Sequence, residues 1–432
     1  MWPAFASRAV VGDPTAALTP APLRDDALIR TKTIAFEESR LPRDAEDQIT
    51  PRMLASEYLQ RYRERGDVGD VLRAEAMARR SLRLQPQRNV AALQALASAQ
   101  LTLHRFHDAL ATIREARRYA PDLPAVAMSE AALDLEVGDY AGATKLVQRY
   151  RDASRSTSAN PAITDDPDPT ETIGARLAEL TGDLARARTL LGRASRRVDA
   201  IYGVPNERRA WFHARLGELA FNARDNDEAL REESVALQRF PDDIIALNDT
   251  ARFSAALGRW TDARDAAEHA VRLTPSPENL GLLADAQEHL GDPAAARATR
   301  DEIAAVERIG NTQHVVDRLL ALEYADHGVN LADAYAIAQR EISVRDDVFA
   351  EDTLAWTAAR AGRWDVAHRA AARATAYDTA EPRLWYHAAV VAEHFGEKAA
   401  AVAEYRHALS LNPHFQAGFA DDARSRLARL GG

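Results

Sequence analysis

The chain has 432 residues, 28% of them charged and only 6% aromatic, with a formal net charge of −10 and no cysteine. Disulfides, thiolate catalysis and cysteine-ligated zinc or iron–sulfur sites are thereby excluded. The negative balance argues against a general nucleic-acid surface, which needs a basic face to release phosphate counterions, and no run approaches the roughly 18 apolar residues of a membrane span.

From the N-terminus, residues 1–50 hold Pro3, Pro14, Pro20, Pro22 and Pro42 with little apolar periodicity. A partly ordered leader is expected there, with a helix over 27–39. Ala4, Phe5 and Ala6 have the small-x-small form of a signal-peptidase site, yet no apolar run precedes them. The expected location is the cytoplasm by default, with export, the signal peptide missing from this sequence, as the alternative.

A regular signal starts near residue 51. Gly258-Arg259-Trp260-Thr261-Asp262-Ala263, closing at Leu273-Thr274-Pro275, recurs in kind as Gly396-Glu397-Lys398-Ala399-Ala400-Ala401, closing at Leu411-Asn412-Pro413. Gly138-Asp139-Tyr140, Gly182-Asp183-Leu184, Gly291-Asp292-Pro293 and Gly362-Arg363-Trp364 repeat the same turn, neighbouring copies lying about 34 residues apart. Within the copy from Ile244 to Pro275, Leu247 and Ala251 sit one helical turn apart, and Ala263, Ala267 and Ala270 make a small-residue stripe on a second helix. Gly258 ends the first helix and Pro275 stops the second. One such hairpin cannot bury its apolar faces alone, so stability must come from stacking. The fold class is therefore all-α: a right-handed α-solenoid of about ten hairpins with a concave inner surface. N-terminal repeats are expected over 51–151, a linker or surface loop over 152–170 where serine, proline and aspartate break the period, and C-terminal repeats over 171–432. A capping helix over 421–430 closes the array.

These features resemble the tetratricopeptide repeat family. The small residue of the first helix (Ala97, Ala131, Gly217, Ala251, Ala284, Ala355, Ala389) and that of the second (Ala109, Ala143, Ala187, Ala229, Ala263, Ala296, Ala367, Ala401) both match. So do the closing prolines Pro86, Pro121, Pro241, Pro275 and Pro413, whereas the copy near Asn330 has an irregular turn and no closing proline. The C-terminal third is also similar to a module of bacterial tetratricopeptide proteins of unassigned function, which brings no activity with it. Chaperone-binding members hold a terminal carboxylate with Lys and Asn; the corresponding N-terminal positions here are Gln94, Ser98, Met128 and Ala132, so that clamp is missing.

Catalytic signatures are not found: there is no glycine-rich phosphate loop, nucleophile elbow or HExxH helix. His104, His107 and Asp108 are too few to make a zinc site, and no metal or cofactor is expected. Asp242, Asp243, Asp346 and Asp347 fall at helix starts, where they serve as caps. The binding chemistry is expected on first helices off the packing stripe: Asn248 with Arg252, Asp285, Asp352 with Trp356, and Tyr386 with His387. Together they predict a non-catalytic scaffold that docks a protein or extended peptide in its groove. The alternative is a ligand-responsive or enzyme-associated subunit with a small-molecule site in the C-terminal groove. An open strip would favour the first and a compact polar pocket the second.

Overall fold

A computed structural model describes residues 25–156, 169–311 and 318–432. The segment around Ala4 and the serine- and aspartate-rich stretch 157–168 lie outside them. Among the described residues all regular structure is helical.

Helix α1 (Asp26–Arg40) precedes ten antiparallel pairs. They are α2 (Ile49–Arg65) with α3 (Val68–Leu84), α4 (Val90–Thr102) with α5 (Phe106–Tyr119), and α6 (Pro124–Glu136) with α7 (Tyr140–Ser156). Next come α8 (Pro169–Leu180) with α9 (Leu184–Ala200), α10 (Asn206–Asn222) with α11 (Asn226–Arg239), and α12 (Ile244–Ala256) with α13 (Trp260–Leu273). The last four are α14 (Pro277–His289) with α15 (Pro293–Asn311), α16 (Arg318–His327) with α17 (Leu331–Glu341), α18 (Val348–Arg360) with α19 (Trp364–Ala374), and α20 (Pro382–His394) with α21 (Lys398–Leu411). Helix α22 (Phe419–Arg429) closes the array.

Local chemistry sets these boundaries. The turn glycines 138, 182, 258, 291, 362 and 396 all have left-handed φ between 73° and 85°, a conformation that costs other residues backbone strain. Asp183, Asp243 and Asp347 cap α9, α12 and α18 by accepting a backbone N–H of the first turn. Pro124, Pro277 and Pro382 start α6, α14 and α20, where a missing N–H costs nothing. The irregular copy turns through Gly328 and Asn330, both left-handed. Alanines at the helix contacts, among them Ala251, Ala263 and Ala267, are essentially inaccessible and let paired helices approach closely.

The array does not stay open. The third hairpin meets the ninth: Tyr140 Oη accepts the Val348 amide at 2.9 Å, and Arg345 lies 2.9 Å from Glu136. The fourth meets the loop before α20, where Thr379 donates to the Leu180 carbonyl at 2.9 Å and the Ala380 amide to Glu179 O at 3.2 Å. The fifth meets the tenth through Asn412 Nδ2, which donates to the Phe221 carbonyl at 2.7 Å. Apolar packing follows the same seam, with Leu135, Tyr140 and Leu180 in one cluster with Val348 and Leu384. One turn of the superhelix thus rests on the next, and the expected open groove becomes an enclosed interior.

Candidate binding site inside the superhelix

Closure places the inner faces of α6, α8, α10, α12, α14, α16, α18 and α20 around a single cavity of about 580 Å³. Ile245 and Leu319 on its wall are 43% and 37% exposed, so the cavity opens to solvent. The volume falls within the roughly 300–1,000 Å³ of ordinary ligand sites.

The wall carries charge of both signs, but the signs are not equally satisfied. Every arginine there has a carboxylate within reach: Arg176 and Arg215 share Glu179 at 2.7 and 2.9 Å, and Arg252 holds Asp249 at 2.7 Å. Arg345 reaches Glu136 at 2.9 Å, Arg383 reaches Glu381 at 3.5 Å, and Arg318 lies 3.9 Å from Glu341. Two carboxylates differ. Glu278 accepts from Asn248 Nδ2 at 3.0 Å, and Asp326 accepts from Trp356 Nε1 at 2.7 Å and Gln416 Nε2 at 3.3 Å. These donors are neutral, and among the described residues neither carboxylate has an ion pair. Burial pushes the carboxyls of Glu278, Asp326 and Asp249 above their ordinary range. His327 moves the other way in charge: hydrogen bonding to Glu323, aided by Asp285, raises it to about 9, so it is a cation at neutral pH.

Aromatic surface completes the wall. Phe349 lies beneath two guanidinium groups, Arg176 at 4.9 Å and Arg318 at 5.7 Å from its centroid, and Trp260 stacks on His289 at 3.7 Å. A second cavity of about 640 Å³ lies between α18, α20 and α22, and Asp326 lines both. In it Phe419 stacks on Tyr386 at 4.9 Å, Tyr386 donates to Asp422 at 2.7 Å, and Arg426 pairs with Glu393 at 2.9 Å.

The residues singled out from sequence separate into two places. Arg252 and Asp285 line the central cavity, with Asn248 bonded to its wall. Trp356 and Tyr386 border the second cavity while almost fully buried, each giving its polar hydrogen to an aspartate. Asp352 and His387 pair with each other at 2.9 Å inside the protein, His387 stacking on Trp356 at 4.2 Å. Asp352, Trp356, Tyr386 and His387 thus touch one another but are buried rather than presented to a groove, because the stacking of α18, α20 and α22 turns them into packing contacts. Sequence reasoning passed over Glu278, Asp326, Arg318 and Arg383. The usable signal was register: Asp249 and Arg252, like Glu278, Leu282 and Asp285, follow the i, i+3, i+4 spacing of one helix face.

Among the described residues no group of three or more His, Cys, Asp or Glu is placed to hold a metal, and no helix is long and apolar enough to cross a membrane.

Hairpins stacked around a lined interior define a helical-repeat solenoid. Residues 353–414, from within α18 through α21, match the family model of the tetratricopeptide repeat. Solved structures with a similar course include a tetratricopeptide repeat protein from Parabacteroides merdae (18% identity, TM-score 0.34, covering 61% of this chain and 98% of that one). Yeast Tom70 (14%, TM-score 0.34, covering 93% and 94%) and a chain of the APC/C hetero-tetramer Cut9–Hcn1 (14%, TM-score 0.33, covering 94% and 94%) are others. At such identities and scores these likenesses carry no argument about function. No curated protein matches the chain by sequence.

Proposed function

We propose that this chain is a non-catalytic binding scaffold whose recognition site is the interior of its own closed superhelix. The observation that carries this reading is the cavity of about 580 Å³ with half-buried, incompletely paired charges on its wall. Such groups are costly to desolvate, and a guest that pairs with them recovers part of that cost. A short segment of a partner protein inserted into the mouth suits the scaffold role of helical repeats. Closure around a compact polar pocket equally supports the second reading, a small-molecule site in a regulatory subunit. Both place the ligand on the same wall, Arg252 and Asp285 included.

The test is a thermal-shift screen of short peptides and charged small molecules against wild type and Leu282→Trp, which fills the cavity from α14. Ligands of the interior lose their shift in the variant. If every stabilising ligand acts equally on both proteins, recognition lies on the outer surface and the reading fails.

A further inference from the structure

We infer that the guest of this interior is cationic: a primary ammonium or guanidinium carried on a flexible chain, received by the wall carboxylates Glu278 and Asp326. The inference rests on the interior being the recognition site and adds the chemistry of what enters.

Three independent observations converge. First, the wall's arginines are each matched to a carboxylate, several of them to groups behind the wall such as Glu179 and Glu341, whereas Glu278 and Asp326 are hydrogen-bonded only to neutral donors, with Arg252, Arg318 and Arg383 acting on Glu278, and Arg383 on Asp326, from beyond ion-pair distance. An anionic guest would compete with existing ion pairs; a cation would meet carboxylates that have none. Second, Asp249 on the same wall is 6% exposed, and its Oδ2 is buried without a hydrogen-bond partner although Oδ1 is taken by Arg252. A buried carboxylate oxygen left unbonded is expensive, and a donor entering beside it relieves that cost. Gln416, whose Nε2 is spent on Asp326, likewise leaves its carbonyl oxygen buried and unbonded on the wall. Third, the wall's rings already take cations, Phe349 lying beneath the guanidinium groups of Arg176 and Arg318, and Phe419 lines the same wall. Carboxylates, a carbonyl and aromatic faces together form the usual environment of a desolvated organic cation.

Asp326 also explains Trp356. Its indole fixes the carboxylate by a hydrogen bond while stacking on His387, so it acts as a positioning residue for Asp326.

The chemistry is shared by a free polyamine and by a lysine or arginine side chain of an inserted segment. Isothermal titration calorimetry on the full chain therefore uses spermidine, a blocked lysine–arginine dipeptide and a blocked glutamate dipeptide. At least one of the two cations is expected to bind, with affinity falling about tenfold in Glu278→Gln and in Asp326→Asn and falling again as salt is raised. Both substitutions keep an acceptor for Asn248 or Trp356, and an unchanged circular dichroism melt separates lost charge from lost fold. Binding of spermidine alone identifies a free polycation, and of the dipeptide alone a protein segment; either supports the inference. Preference for the glutamate dipeptide, indifference of cation binding to both substitutions, or no cation binding overturns it. If cations fail while some other ligand remains sensitive to Leu282→Trp, only the cation assignment falls; if no ligand is sensitive to that variant, the interior site falls as well.

Discussion

Substituting Gly138 by alanine tests whether the two superhelical turns really touch. A Cβ built on Gly138 would lie 2.1 Å from the Asp346 carbonyl oxygen and 3.0 Å from its carbon, and backbone cannot rotate away as a side chain can. Gly138 also has φ +77, so alanine there carries a conformational cost of about 1–2 kcal/mol before any clash. Gly258 has nearly the same φ, +73, with nothing within 4 Å of its Cβ position. Gly258→Ala therefore measures the conformational cost alone, including the opposing loss of unfolded-state entropy. The difference between the two variants isolates the seam, and overpacking of this kind costs about 1–3 kcal/mol. A local reporter is available in the Val348 amide, which starts α18 and donates to Tyr140 Oη across the seam at 2.9 Å. Hydrogen exchange at Val348 should accelerate about 5- to 150-fold in Gly138→Ala, the rate equivalent of that energy, and stay near wild type in Gly258→Ala. Local exchange is preferable to a global melt because stacked repeats need not unfold in two states. Equal exchange at Val348 in both variants would refute the closure and with it the enclosed interior.

Three further outcomes follow from the packing. Glu233 is inaccessible with both carboxyl oxygens unbonded, pressed where a Cβ on Gly217 would lie 2.1 Å from Oε1, and burial holds its carboxyl well above the ordinary range. The folded chain then keeps a proton that the unfolded chain releases near pH ~4.3, so stability is full below that value and declines as pH rises toward the folded pKa; Glu233→Gln should flatten the slope of unfolding free energy, measured in urea, against pH by up to about 1.4 kcal/mol per pH unit. Trp356→Phe keeps a ring against His387 but removes the donor to Asp326, and should lower stability by about 1–3 kcal/mol in chemical denaturation; no change would mean that Asp326 is solvated in place. Ala263→Leu overfills the contact with the paired helix and should cost about 1–3 kcal/mol, whereas an unchanged melting temperature would place Ala263 off that contact.

The hairpins were legible in the sequence because each rests on local chemistry. Gly258 and Gly396 are read as left-handed turns since only glycine adopts that φ freely, and alanine at 251 and 263 is read as a close contact since a larger side chain would not fit. Helix α1 was expected over 27–39 and spans Asp26–Arg40; the closing helix was expected over 421–430 and spans Phe419–Arg429. Arg252 and Asp285, expected off the packing stripe from helical periodicity, line the central cavity. What only the tertiary structure decided is the distance between hairpins far apart in sequence. A small rotation per repeat accumulates along the array, and no local residue encodes whether the third hairpin will meet the ninth. Stacking of α18, α20 and α22 made Asp352, Trp356, Tyr386 and His387 buried contacts rather than groove surface, and closure brought Glu136 and Arg176 to the wall that Phe349 and Arg383 complete. Charge pairing across such a seam depends on which side chains face each other after roughly a full superhelical turn, which periodicity within one helix cannot report.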